Sequence, residues 1–521
     1  MQKRILINLS PSVWPMLEYE LDIIQRKLDE GFKVKILVCK SNTNFCSANN
    51  YYFLKNKKIP LVCSICKSRF SSGIKWLKNN ESLIIDEFDS LDINQRFQIN
   101  KINNILEKNN YINALRKISK IIIAYKINIL EIVKTSFITE TISTQLDYEK
   151  NYELYKRLLL KTCSSYFSSL NHITNWKPDE IYTFNGRETK YGAFLRTGQL
   201  LTNKNNIYVY EYPYNGHKNY LLIKKNYPHD QKNLARHLYD KYKIIKKKYI
   251  IKNFSKEKIA KNFLKEKINN SYDQYVPWKK NQNKKFINYF SNKFIISFLL
   301  TSDFEFVGIK EVETLIPYKN QIDAICKITK FFSNYNDVQF IVRMHPWSGS
   351  NTERKYNKNK LVDLINYNKN ITLIDYNSEI STYSLIKQSK LVITFQSTTG
   401  LEASYFKIPV LNIGSSFYEK FGCCLNLNDH KRILTVLKKA IKHDFSDFPS
   451  RINRHTNACK AIFAYINIDE KSRYVNKKSY KDNTMIRDNI TYTVKSNTFL
   501  NFLFLPIKIL RKIFFIFRKK L

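Results

Sequence analysis

Two short segments in the second half of the chain carry side chains suited to holding phosphate. The first is Leu391-Val392-Ile393-Thr394-Phe395-Gln396-Ser397-Thr398-Thr399-Gly400-Leu401-Glu402-Ala403. An apolar strand-like run delivers a hydroxyl-rich turn, and a helix starts on it. Exposed amides at a helix N-terminus form an anion site, and the helix dipole adds partial positive charge. Hydroxyls of Ser397, Thr398 and Thr399 add donors for a diphosphate, and Gly400 allows close backbone approach to a ligand. Glu402 reads as a first-turn carboxylate able to accept hydrogen bonds from ribose. An ordinary capped helix shows much of the same pattern, because Ser and Thr are preferred caps. The second segment, Phe340-Ile341-Val342-Arg343-Met344-His345-Pro346, favours the ligand. It is a strand whose C-terminal end carries Arg343, suited to bidentate phosphate binding. His345 beside it can donate to a phosphate oxygen or move a proton. Ligands of open α/β sheets bind at the C-terminal ends of strands. Thr301 and Ser302 follow the apolar run Phe294 to Leu300 and fall on the same expected edge.

The pair His345-Pro346, with Ser397-Thr398-Thr399-Gly400-Leu401-Glu402-Ala403 and Ile408-Pro409-Val410, resembles bacterial capsule and lipopolysaccharide glycosyltransferases of the GT-B fold. It is similar as well to polysialyltransferases and CDP-glycerol glycerophosphotransferase-like enzymes, and more weakly to sugar-nucleotide 2-epimerases. The resemblance covers residues 294 to 414. It implies that His345, Ser397, Thr398 and Thr399 hold the donor's phosphates and that Glu402 holds ribose. The fold it implies is α/β, with two Rossmann-like parallel-sheet domains facing a cleft.

The first half shows parallel features. Asn185-Gly186-Arg187-Glu188 follows a strand pattern and opens a helix, with Asn-Gly supplying a tight turn. The resemblance makes Asn185, Gly186 and Arg187 acceptor-side residues. An inverting transferase needs a group to take the acceptor hydroxyl's proton; Glu18, Glu188, Glu211 and His345 are the candidates.

The elements that must position these residues are legible as alternating patterns. Arg4 to Asn8, Pro15 to Glu30 and Lys33 to Cys39 read as strand, helix and strand. Residues 76 to 175 read as a helical insertion, and 277 to 285 as a linker. The expected organisation is an acceptor domain over 1–276, a nucleotide-sugar domain over 286–468, and a linker with a basic amphipathic tail over 469–521.

The chain has 521 residues, with 87 basic and 44 acidic, for a net charge of +43. Such charge suits an anionic partner, but abundant Lys, Asn, Ile, Tyr and Phe also fit an AT-rich codon bias. No zinc-finger spacing, helix-turn-helix or RNA-binding signature stands out, so no nucleic-acid partner is expected. Nine cysteines at uneven spacing, with no signal peptide, suggest a reducing cytosol. Cys63-Ser64-Ile65-Cys66 has zinc-knuckle spacing, with Cys46 as a weak third ligand. Residues 499 to 521 are aromatic-rich and basic, interrupted by Pro506, Lys508, Arg511 and Lys512. That composition suits an interfacial anchor on anionic lipid rather than a span.

The expectation is therefore a cytoplasmic enzyme, peripheral on the inner face of the cell membrane. It moves a sugar from a nucleotide-sugar donor to a capsule or lipopolysaccharide glycan or lipid-linked glycan. It is expected to be inverting and to use no cofactor, and to be metal-independent because no Asp-x-Asp pair lies in a convincing strand-end context. A polyol-phosphate transferase, a sugar-nucleotide 2-epimerase and a non-catalytic membrane scaffold are the alternatives.

Overall fold

The computed structural model describes residues 2–12, 16–39, 60–211, 219–227, 229–250, 255–269, 282, 284–286, 293–302, 317–346, 351–477, 483–487 and 490–494. The chain forms two compact units. One takes residues 1–140, 146–227 and 469–521, and the other takes 141–145 and 228–468.

The strands of the first unit are β1 (Arg4–Asn8), β2 (Lys33–Val38), β3 (Leu83–Glu87), β4 (Glu180–Phe184), β5 (Ile207–Glu211) and β6 (Asn219–Lys224). Those of the second are β7 (Phe294–Leu299), β8 (Val338–Arg343), β9 (Ile371–Ile374), β10 (Leu391–Thr394), β11 (Val410–Ile413) and β12 (Leu425–Leu427). Four short strands follow: β13 (Glu470–Lys471), β14 (Val475–Lys477), β15 (Asn483–Arg487) and β16 (Ile490–Tyr492).

In the first sheet the order is β13-β6-β5-β4-β1-β2-β3. The five strands from β3 to β5 are parallel, while at the other edge β6 pairs antiparallel with β5 and β13 antiparallel with β6. The second sheet has the order β12-β11-β10-β7-β8-β9 and is parallel throughout. Both units thus have the doubly wound strand order, in which the chain starts in the middle, builds outward, and returns to build the other side. Such strands are covered on both faces, which is why β7 and β8 are buried along their whole length and read as mostly apolar runs, broken only by Ser297, Gln339 and Arg343. The expected pair of Rossmann-like α/β domains is borne out.

The helical insertion also forms. Helices Ile93–Lys108, Tyr111–Ile122, Ile129–Thr141 and Tyr152–Trp176 pack around Ile102, Leu106, Ile118, Phe137, Leu158 and Leu159. Asp92 and Gln95 close a reciprocal capping box at its first helix. The insertion begins later than residue 76, because β3 intervenes. That strand is a half-buried edge whose alternation ends in Asp86 and Glu87, so its apolar signal is weak.

Residues 60 to 74 form a helix that carries both Cys63 and Cys66. Two further expectations are corrected. The boundary between units falls at 227/228 rather than in 277–285. Helices Gln231–Ile250 and Lys256–Ile268 belong to the second unit. Their polar, Lys-rich sequence hides the buried face of Ala260, Phe263 and Leu264. Finally, the described residues between 469 and 494 are not a linker. Asp22, fully buried on the Met16–Asp29 helix, accepts hydrogen bonds from the Ser472 hydroxyl (2.9 Å) and the N–H groups of Arg473 and Tyr474 (2.7 Å each). Val475, Met485 and Val494 join the apolar core of the first unit. The basic segment 499–521 lies outside the described residues. Among the described residues no helix is long and apolar enough to cross a membrane.

Candidate functional site

In the second unit β7 lies between β8 and β10, and the connections leaving β7 and β10 go opposite ways. This is the topological switch point, where an open α/β sheet leaves a crevice beyond its strand ends. The register sets Asn412, Thr394, Leu299, Arg343 and Ile374 level along that edge. The residues just beyond them therefore meet.

Ser302, beyond β7, and His345, beyond β8, pair through Oγ and Nδ1 at 3.0 Å. The carboxamide of Gln321 brackets Thr301, accepting from its N–H at 2.9 Å and donating to its carbonyl at 3.1 Å. That clamp fixes the turn that presents Ser302. Beyond β10, Ser397 caps the Thr398–Tyr405 helix by accepting from the Thr399 N–H. Its hydroxyl lies 2.8 Å from the Thr399 hydroxyl, and its carbonyl accepts from the Tyr418 hydroxyl at 2.9 Å. The half-buried Thr398 is the third hydroxyl of the group. The first turn of this helix contains no acidic residue, so its N-terminal amides keep their attraction for an anion.

A layer of buried amides supports the turn from below. Asn412 Oδ1 accepts from the Gln396 N–H (3.0 Å) and the Thr394 hydroxyl (3.2 Å), and its Nδ2 donates to Gly414 and Asn426. Sequence reading passed over Asn412, although an asparagine inside the apolar strand Val410–Ile413 signals a partner that must be met.

Three expected donor contacts take other roles. Arg343 is buried, and its terminal nitrogens donate to the carbonyls of Asp375 (3.4 Å) and Ser378 (3.2 Å). Burial lowers its pKa to about 10, with Asp375 acting against the shift. The guanidinium braces the turn after β9 instead of standing open for a bidentate phosphate contact. Glu402 lies beyond the first helical turn and is buried. Its carboxylate pairs with Lys267 Nζ at 2.7 Å and accepts a hydrogen bond from Tyr383, which leaves it poorly placed for ribose. Gly400 faces the protein and not a ligand. A β-carbon there would lie 2.2 Å from Tyr418 Oη and 2.9 Å from Thr394 Oγ1. We expect Gly400→Ala to cost about 1–3 kcal/mol through this overpacking. A denaturant midpoint equal to the parent's would show that the contact relaxes freely.

The first unit has its own switch point between β1 and β4, with Asn8 level with Thr183. Asn185 and Gly186 are both left-handed, with φ of 51° and 76°, as an Asn-Gly turn requires. The Asn185 amide donates to Glu211, and its Oδ1 accepts from the Arg187 N–H at 3.1 Å. The structure therefore brings Asn185, Gly186, Arg187 and Glu211 together. Burial raises the pKa of Glu188, and Arg187 partly offsets it. Glu18 is elsewhere: it is buried in the first unit and pairs with Arg69 at 2.5 Å, so it is not a base waiting for a proton.

The sequence reading also missed Glu20. It is fully buried and accepts from the Tyr210 hydroxyl and the Ser10 N–H, each at 2.6 Å. Burial raises its pKa to about 7, against the pull of those two donors. Lys190, which donates to the Leu9 carbonyl at 3.0 Å, is lowered by burial to about 8. Because the folded pKa of Glu20 is raised, its contribution to stability is intact below the unfolded carboxyl pKa. It is lost as pH rises through about 7. Stability should fall on the order of 1 kcal/mol per pH unit across that window, and Glu20→Gln should flatten the slope. An equal slope in parent and variant would assign the dependence elsewhere.

Cys63 and Cys66 lie one turn apart on a helix, and Cys66 Sγ accepts from the Ser12 N–H at 3.1 Å. Burial raises the Cys66 thiol pKa, which disfavours the thiolate a metal needs. Cys46 lies outside the described residues, among which no cluster of three metal-binding side chains occurs.

Residues 215–448, a little under half of the chain, match the family described as capsule polysaccharide biosynthesis protein. The matched segment contains Ser302, His345 and the Ser397 helix start. No curated protein matches. Among solved structures, the chain is similar to the β-Kdo 2,4 transferase of Thermosulfurimonas dismutans KpsC, at 11% identity and a TM-score of 0.34, covering 61% of this chain and 84% of that one. The β-Kdo 2,7 transferase of the same protein matches at 11% identity and 0.31, covering 63% and 85%. The UDP-GlcNAc 2-epimerase of Neisseria meningitidis, bound to UDP-GlcNAc, matches at 12% identity and 0.24, covering 90% and 100%.

Proposed function

We propose that this chain, whose residues 215–448 match the capsule polysaccharide biosynthesis family, is a glycosyltransferase that takes its sugar from a nucleotide-sugar donor. The observation that carries the reading is the convergence, at the switch point of the second sheet, of Ser302, His345 and the Ser397-Thr398-Thr399 helix start. These groups supply hydrogen-bond donors where a phosphate would enter, without an acidic residue in the helix turn that receives it.

In the proposed reaction the acceptor hydroxyl attacks the anomeric carbon of the donor sugar. The bond from that carbon to the phosphate oxygen breaks as the new glycosidic bond forms, with inversion. The hydroxyl proton passes to a general base. The nucleotide leaves with its negative charge on phosphate oxygens. Preorganised donors stabilise such charge best as it develops. Here they are the helix amides, Thr398 and the Ser302–His345 pair, so the reading needs no metal ion. The acceptor is a capsule glycan or its lipid-linked precursor. The basic, aromatic segment 499–521 would hold the enzyme at the inner face of the membrane, where anionic lipid attracts such sequences.

The test is incubation of the full chain with CMP-, UDP-, GDP- and CDP-linked sugars, with and without capsule oligosaccharide. Glycosyl transfer frees the nucleotide only when the acceptor is present and lengthens the oligosaccharide. Release of CMP from CDP-glycerol with phosphoglycerol on the product would replace the reading. Interconversion of the donor sugar without an acceptor would replace it with epimerisation.

A further inference from the structure

Gln396 sits one residue before the Ser397 cap, at the exit of β10 and on the switch-point edge. It is 4% exposed, yet among the described residues its carboxamide nitrogen has no hydrogen-bond partner. Its φ is 57°, in the left-handed region that glutamine enters only at a cost. A turn that needed only this backbone geometry would be served by glycine or asparagine. The conformation is held from below, since Asn412 Oδ1 fixes the Gln396 N–H at 3.0 Å. Asn412 is itself tied to Gly414 and Asn426, so the support extends into the neighbouring strand ends.

Two unfavourable features, one of the backbone and one of the side chain, therefore coincide at one residue beside the site. A buried donor without a partner is uncommon in folded proteins, and a bound ligand is one way to satisfy it. The neighbouring groups indicate which ligand. The N-terminal amides of the Thr398–Tyr405 helix are donors, and the hydroxyl of Thr398 can donate as well. A set of this kind wants a group made only of acceptors, which a phosphoryl group is.

Resting on the nucleotide-sugar reading above, we propose that Gln396 is a donor-binding residue whose carboxamide N–H holds a phosphoryl oxygen of the nucleotide. The strained backbone at Gln396 is the conformation that binding uses, and the Asn412 layer keeps it in place before the ligand arrives.

The test is calorimetric titration of the full chain with UDP, CDP, GDP and CMP, and with the matching nucleosides, alongside thermal melting. Gln396→Leu removes the unpaired donor and the ligand contact together. It should leave the ligand-free melting temperature unchanged or raised, and weaken the preferred nucleotide about tenfold. Affinity for the matching nucleoside should not change. Gln396→Gly suits the left-handed backbone and should lose affinity to the same extent in a fold at least as stable. Parent-like nucleotide affinity in both variants overturns the proposal. So does an equal loss for nucleotide and nucleoside, which would place the contact away from phosphate. If the parent protein binds none of the four nucleotides, the nucleotide-sugar reading itself fails and takes this proposal with it.

Discussion

Glu402→Ala should destabilise the second unit by about 3–5 kcal/mol, because it leaves a buried ammonium without its counter-charge. The side chains of Glu402 and Lys267 are 5% and 10% exposed, and their charged atoms are 2.7 Å apart. Water can therefore screen little of what is lost. The Tyr383 hydroxyl loses its acceptor in the same variant, and the phenol is already pushed well above its usual pKa by burial and by this carboxylate. Lys267→Met should cost a similar amount by stranding the carboxylate. The double variant Glu402→Leu/Lys267→Met should recover most of the loss, since a buried pair replaced by apolar groups is often near neutral. Urea unfolding of the four proteins measures the cycle. Single variants within about 1 kcal/mol of the parent would mean that water reaches the pair.

His345→Ala should lower kcat/KM by roughly 10²–10³ if the Ser302–His345 pair meets developing phosphate charge, the range typical of losing one such donor. Ser302→Ala should have a smaller effect in the same direction, because Ser302 acts on His345 Nδ1 at 3.0 Å and orients the ring. Initial-rate kinetics with the donor identified by the nucleotide panel give both numbers. A His345→Ala enzyme with unchanged kcat and only a raised KM would make the imidazole a ground-state contact.

The strand ends of the second unit were readable because parallel strands covered on both faces leave long apolar runs. Phe294 to Leu299 and Val338 to Arg343 announce themselves, and so do the polar residues that stop them. The Asn185-Gly186 turn was readable because its backbone requirement is local. What escaped depends on partners distant in sequence. Nothing near Glu402 points to Lys267, 135 residues earlier. Nothing near Glu20 points to Tyr210, 190 residues later. Gly400 suits close approach from either side, and only the packing shows that Tyr418 fills that side. The strained φ of Gln396 leaves no trace in composition, since glutamine is not a residue by which left-handed turns are recognised. β15 and β16 escaped because they are short and Asn483, Thr484 and Arg487 interrupt the apolar pattern around Met485.

The three hydrogen bonds that residues 472–474 make to the Asp22 carboxylate bear on how the chain is made. Synthesis proceeds from the N-terminus, so the Met16–Asp29 helix leaves the ribosome some 450 residues before the Ser472 that closes its carboxylate. Over that interval the second unit, whose last helix ends at Ile466, is completed in full. The unit that begins first is thus the last to close, and its apolar surface awaiting Val475, Met485 and Val494 stays uncovered until those residues have been made. A nascent chain stalled near residue 468 would carry a finished second unit and an unfinished first unit, an exposed intermediate of the sort chaperones bind.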